Sequence, residues 1–386
     1  MTIQIQGRSL IHPHTSVEAG AAPHPKEAPP HAAATPAPAG DSFEVQGAVG
    51  HPVKDHFGSR VDPHAKGAYF RKVESDPSTQ HRGISGKGTL PQVSTDPSRQ
   101  FHGTGATAWQ TGPLERPSVY MGGRANGKEV DAGLTWDRVY DSHGQPTFTD
   151  DPRGSDMRDP SHRFARANVG GQPALVDGNT PPRVVARGAA EVDAKLKTLR
   201  ENFAFRPFWR DTNPDTPADK HWHNPPTRTE PGAAAEASNQ YFYPGEHFTM
   251  TLQAQAPGEV RMDIRLEGSK EHQHFTTRFH QEGWGPGKEA SFKRVNSVDQ
   301  FLVRGGERVG AEKFGVEPTK TTATGGSWEE VSLLRTSGER QPMTGAHFTT
   351  VKGQDTAAHY AEIFGISGST DRGGERVDIH PGSIHR

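Results

Sequence analysis

"FTMTLQAQAPGEVRMDIRLEG", residues 248–268, decides the fold. Phe248, Met250, Leu252 and Ala254 share one parity, and Thr249, Thr251, Gln253 and Gln255 take the other. A period of two fits an extended chain with one face buried and one face wet. Val260, Met262, Ile264 and Leu266 repeat the device against Arg261, Asp263, Arg265 and Glu267. The short "APGE" between the two runs predicts an antiparallel hairpin.

The same alternation recurs in "FAFRPFW" (203–209), "HFTTRFH" (274–280), "SFKRVNSV" (291–298), "FLVR" (301–304), "WEEVSLL" (328–334) and "HFTTV" (347–351), and more weakly in "GISGKGTL" (83–90) and "SVYMGG" (118–123). One stretch, "AAEVDAKLKTLRENF" (189–203), instead places Val192, Leu196 and Leu199 on a helical face, so a single short helix is expected there. Many short strands divided by Gly, Pro and Asn turns predict an all-β antiparallel sandwich of jelly-roll, concanavalin-like type with long loops. The segments 141–187 and 211–239 exceed ordinary loop lengths and are expected to be functional or mobile.

Composition narrows the classes. Of 386 residues only 31% are hydrophobic, while 44 Gly and 32 Pro raise the turn content. Residues 1–82 are rich in Pro, Ala and His and hold no sustained period, which predicts a disordered leader. The sandwich is expected over 83–366 and a flexible C-terminal tail over 367–386. A net charge of −2 supplies no field that would recruit nucleic acid. With no Cys, disulfides, thiolate metal sites and a Cys nucleophile are excluded. No apolar run is long enough to span a bilayer. "MTIQIQGRSLIHPHTSVEAG" has neither a basic n-region nor an apolar h-region, so Sec-type export is not expected from it; a non-classical extracellular route and a cytoplasmic location both stay open.

"RPSVYMGGRANGKEVDAGLTWDRV" (116–139), then "FAFRPFW", "YFYPGEHFTMTLQ" (241–253) and "FKRVNSVDQF" (292–301), resemble in order the YrpD-like bacterial extracellular proteins over roughly Gly83 to Val303. The shared features are a Gly-rich turn between strands, a strand carrying Asp131, Gly133 and an aromatic, and an aromatic-Pro-Gly entry into a hairpin. The resemblance implies a concanavalin-like sandwich and no particular activity.

The candidate chemistry lies in three places. Glu129 and Asp131 share a strand face with Thr135, across Gly133. A retaining glycosidase needs two carboxyl groups about 5–5.5 Å apart, and this pair meets part of that demand. Gly133 and Leu134 stand where a third carboxylate of one such enzyme pattern would fall, so a structural role for Asp131 is the stronger expectation. The row Arg261, Asp263, Arg265 and Glu267 fits a soluble outer face with cross-strand charge pairs; on a concave sheet it would instead make a groove for a polar polymer, since a guanidinium fork binds a carboxylate in two places. Trp222 in "KHWHNPP" and Trp284 in "EGWGPG" are candidate stacking platforms for sugar rings, and the stronger alternative for each is a loop anchored to the sandwich by one buried ring. Trp136 and Trp209 are in phase with apolar neighbours and are expected in the core.

Cofactor signals are slight. Asp150, Asp151, Asp156 and Asp159 in the loop 149–162 offer hard oxygen ligands that suit Ca²⁺, without EF-hand spacing; His221 and His223 have no third ligand. The patterns G-x-S-x-G, H-E-x-x-H, P-loop and Rossmann fingerprint are all missing. The leading expectation is a non-enzymatic module that binds a polysaccharide or cell-surface glycan. The alternatives are a glycan-cleaving hydrolase or lyase working through Glu129 and Asp131, and a secreted effector whose leader serves as an export signal.

Overall fold

The structure is a computed structural model that describes residues 60–62, 68–75, 81–104, 111–141, 145–151, 162–179, 181–210, 222–225, 241–268, 274–288, 290–310, 316–344, 348–352, 362–368 and 373–382. All of them fall within one compact unit, Gln46–Arg386. Two nine-stranded sheets pack face to face as an all-β jelly-roll sandwich.

Numbered along the chain, the first sheet runs β1 (Arg60–Asp62), β23 (Phe348–Lys352), β2 (Ala68–Glu74), β19 (Ala290–Arg304), β7 (Glu115–Ala125), β8 (Lys128–Arg138), β14 (Phe203–Arg210) and β15 (Trp222–His223), with β20 (Glu307–Gly310) folded back on β19. The second runs β18 (His274–His280), β17 (Glu259–Leu266), β16 (His247–Ala256), β3 (His81–Thr89), β21 (Thr322–Arg335), β25 (Glu375–Ile379) and β24 (Phe364–Ser367), with β4 (Gln92–Ser94) and β22 (Arg340–Pro342) beside β21. Among the described strands every pairing is antiparallel except β1 with β23. A short ladder joins β5 (Gln100–Phe101) to β6 (Gly112–Pro113).

The alternation read from the sequence is the cause of this packing. β16 and β17 pair from Phe248↔Leu266 to Ala254↔Val260, and Gly258 turns the hairpin with φ +74. Phe248, Met250, Leu252, Val260, Met262 and Ile264 meet Val119, Met121, Val130, Ala132, Leu134 and Phe205 from the opposite sheet. Trp136 and Trp209 pack against the same core, partly buried.

Three expectations on chain organisation are corrected. β2 and the start of β3 lie inside the stretch expected to be leader, so the sandwich begins before Gly83; residues 1–59 lie outside the described residues. β25 lies inside the expected tail and pairs with β21. The segment 141–187 is in part a third sheet, β12 (Val184–Arg187), β11 (Gln172–Asp177), β10 (Arg163–Val169), β9 (Thr147–Thr149) and β13 (Arg200–Glu201). The expected helix, α1 (Ala189–Leu196), buries Val192 against Phe164, Leu175 and Ala186 of that sheet. Most of the segment 211–239 lies outside the described residues.

β2 and β25 escaped detection because one inward position of each carries a charge beside its apolar neighbours. Arg71 of β2 and Arg294 of β19 point between the sheets onto Glu375 of β25. Arg71 donates Nε and Nη2 to the carboxylate at 2.9 and 2.7 Å, and Arg294 donates Nη1 at 2.8 Å. All three side chains are buried, so this ion triad ties the first sheet to the second.

Candidate functional site

The face of the first sheet turned away from the core carries a polar array that includes the Glu129, Asp131 and Thr135 face read from the sequence. Register puts Lys293 of β19, Gly122 of β7 and Asp131 of β8 in one row, with Ser291, Arg124 and Glu129 in the next. Lys293 is almost fully buried and bridges the two carboxylates, bonding Glu129 and approaching Asp131 at 2.7 Å. Gly122 clears the space for that contact: a Cβ there would stand 2.7 Å from both Asp131 Oδ1 and Lys293 Cε. Burial alone would lower the affinity of Lys293 for its proton, but Asp131 and Glu129 reverse the effect and hold the ammonium charged. Burial likewise pushes the Glu129 carboxyl up, and Lys293 more than offsets it, keeping Glu129 ionised below the ordinary range.

The next row explains Gly133. Phe208 of β14, Gly133 of β8 and Tyr120 of β7 stand side by side, and without a side chain on the middle strand the two rings meet edge to face at 5.7 Å. A Cβ at Gly133 would fall 2.5 Å from Tyr120 Cα. Phe208 continues outward to Trp222 of the edge strand β15, 5.8 Å between centroids, and Arg210 stacks its guanidinium on the same indole. Inward, the Lys293 ammonium lies 5.9 Å from the Tyr120 centroid. An aromatic row therefore crosses from the sheet edge to the charged centre.

Beyond it stand Ser118, Thr135 and Ser297, with Asp299 further along β19. Ser118 donates to Thr135 at 2.9 Å, and Ser297 donates to Asp299 at 3.0 Å. Burial, reinforced by the charge of Asp131, pushes the Asp299 carboxyl up to about 6. A carboxyl raised by folding binds its proton more tightly folded than unfolded. Its contribution is therefore full below the ordinary Asp range and is lost as pH climbs through about 6. Allowing for partial exposure, Asp299→Asn is expected to remove a decline of about 1–2 kcal/mol between pH 4 and 7. Urea midpoints across that range check this; identical pH profiles for the two proteins would refute it.

The other sequence candidates separate. Arg261 and Asp263 pair with each other at 2.8 Å, and Thr276 donates to Asp263 at 2.6 Å, while Arg265 and Glu267 are exposed. That row lies on the outward face of the second sheet, so both sheets stand between it and the aromatic row. Trp284 is only 2% exposed, packs edge to face on Phe292 and donates its indole N–H to the Lys128 carbonyl at 3.3 Å. It anchors a loop in the core, the alternative weighed against its use as a stacking platform. Trp222, by contrast, is 57% exposed.

Asp150 bonds His162 at 2.8 Å, whereas Asp156, Asp159 and His221 lie outside the described residues. Among the described residues no three His, Asp or Glu side chains converge as a metal site. No described helix is long and apolar enough to cross a membrane.

Lys293, Tyr120, Phe208 and Asp299 were missed by sequence reasoning. "SFKRVNSVDQF" carries polar residues on both parities, because one face holds the buried Arg294 and the other the site. Gly133 between alternating residues was the available signal.

No family model and no curated protein matches the chain. Among solved structures the chain is similar to Scytalido-glutamic peptidase bound to a peptide-based transition state analog, at 6% identity and a TM-score of 0.35, over 82% of this chain and 99% of that one. It is also similar to SCP-B, a member of the Eqolisin family of peptidases in complex with the tripeptide Ala-Ile-His, at 6% identity and a TM-score of 0.34, over 82% and 99%. Similarity this shallow transfers no activity.

Proposed function

We propose that the chain is a binding module for a polysaccharide or cell-surface glycan, and that the ligand lies along the outward face of the first sheet. The single observation that supports this most is Trp222, 57% exposed yet held by Phe208 and Arg210 at the end of the aromatic row. A fixed indole with an open face offers a sugar ring apolar contact at little entropic cost. Arg261, Asp263, Arg265 and Glu267 have no part in this face.

The ion pairing of Glu129 and Asp131 supports binding over cleavage, because both carboxylates are engaged by one ammonium. Trp222→Ala is expected to weaken retention on a polysaccharide panel by about threefold to tenfold. The melting temperature should stay close to wild type, since an exposed ring supports little of the core. Unchanged retention by the variant on every retained polymer would sink the proposal.

A second reading, a glycan-cleaving hydrolase or lyase, is favoured by one specific observation. Asp299, raised to about 6, is poised to hold or give a proton near neutrality, with the Tyr120 hydroxyl and Asp131 in its field. The same panel scored for new reducing ends separates the two readings. Release by the wild type that disappears in Asp299→Asn would promote the enzyme.

A further inference from the structure

Trp222 of the edge strand β15 and Arg210 at the end of β14 are direct register partners, so their side chains leave the same face of the sheet side by side. The guanidinium carbon of Arg210 lies 5.8 Å from the indole centroid, at the outer limit of a cation–π contact. Phe208, two residues earlier on the same parity, meets the indole at 5.8 Å between centroids and steadies it. With both neighbours in place the indole is still 57% exposed.

Other cations of this face have carboxylate partners. Lys293 takes both Glu129 and Asp131, and Arg116 and Arg206 lean on Asp137 at 3.4 and 3.6 Å. Arg210 differs: its guanidinium makes no ion pair among the described residues, and its Nε is buried without a hydrogen-bond partner. Asp131, which β8 brings level with Arg210 one step past Trp209↔Ala132, is already engaged by Lys293 at 2.7 Å. A half-buried guanidinium with no counter-charge is costly unless water or a ligand completes its hydrogen bonds. Arg210 thus offers a planar fork of donors directly beside a flat apolar ring.

We infer that this platform takes an acidic sugar, whose ring lies on the Trp222 indole and whose carboxylate or sulfate ester accepts hydrogen bonds from the Arg210 guanidinium. The inference rests on the glycan-binding reading of Trp222 and narrows its ligand to an anionic polymer. A neutral sugar gains the ring contact alone and leaves the fork to water. Trp222 therefore supplies affinity for sugar rings in general, and Arg210 determines which ring is preferred.

The test measures retention of a polyuronate, a sulfated polysaccharide and a neutral polysaccharide by wild type, Trp222→Ala, Arg210→Met and Arg210→Lys. The readout is the ratio of acidic to neutral retention, because Arg210 also touches the indole and its loss lowers both. Wild type should favour an acidic polymer, and added salt should shrink that preference. Arg210→Met keeps an apolar stem beside the ring and removes the charge, so the ratio should fall about threefold to tenfold. Arg210→Lys should restore part of the ratio, since a point charge replaces a fork. The polyuronate and sulfated arms tell the carboxylate from the sulfate ester.

A ratio that Arg210→Met leaves unchanged would overturn the acidic-sugar assignment, and weakened retention in Trp222→Ala would then leave the glycan-binding reading intact. A wild type that prefers the neutral polymer overturns the assignment equally. If wild type retains no neutral polymer, the assignment stands only if Arg210→Met releases the acidic one and Arg210→Lys holds it. Retention of no polymer by wild type would remove both readings together.

Discussion

Glu375→Gln is expected to be the most destabilising conservative substitution in the sandwich, costing about 3–5 kcal/mol in urea unfolding, because it removes the buried carboxylate that both Arg71 and Arg294 bond. The glutamine retains the volume and one acceptor, so packing changes little. What is lost is the carboxylate charge that two guanidinia share between two sheets. Replacing all three together, Arg71→Met, Arg294→Met and Glu375→Leu, is expected to fall within about 1–2 kcal/mol of wild type or above it, since no charge then remains to be desolvated. A single variant as stable as wild type would show that water reaches the triad.

Acid titrates the same triad. Burial alone would push the Glu375 carboxyl up, and Arg294 with Arg71 overrides it and holds it below the ordinary range. For a depressed carboxylate the stabilisation is present above the unfolded Glu value, about 4.3, and is lost as pH falls through the folded value. Wild type should therefore lose stability steeply below about pH 4, and the apolar triple variant should lose less.

The triad also marks the limit of what the sequence disclosed. Hydrophobic alternation announced β16, β17, β14 and β18, because each spends its inward parity on apolar side chains that fill one core. β2 and β25 put Arg71 and Glu375 at inward positions, so the same test read them as polar chain and left them outside the sandwich. The site was hidden by a related cause. On β19 Arg294 faces inward and Lys293 outward, both buried, and only the register with Asp131 and Glu129 distinguishes their duties. Asp131 and Gly133 were legible as a pair. The cation that engages Asp131 and Glu129, Lys293, lies about 160 residues away along the chain, a separation that periodicity does not span.

Lys293→Met is expected to cost about 2–4 kcal/mol, second only to the loss of Glu375, because it leaves Glu129 and Asp131 facing one another without the ammonium that neutralises both. Exposure orders the remaining members of this group. The Asp131 side chain is 17% exposed and that of Glu129 is 37% exposed, so water relieves a broken contact at Glu129 more readily. Asp131→Asn should cost about 1.5–3 kcal/mol and Glu129→Gln less than 1 kcal/mol. Lys293→Met combined with Asp131→Asn should recover part of the loss, since the second change removes a carboxylate that the first left unpaired; that non-additivity is the signature of a direct contact. Glycan retention should follow a different order. Trp222 lies on the exposed side of the aromatic row, so Asp131→Asn should bind nearly as wild type at temperatures where it is folded. If Asp131 instead served catalysis, Asp131→Asn would keep its stability, or gain some, while glycan cleavage by the wild type fell by orders of magnitude. That combination would reassign Lys293 from a structural clamp to a group that tunes a reacting carboxylate.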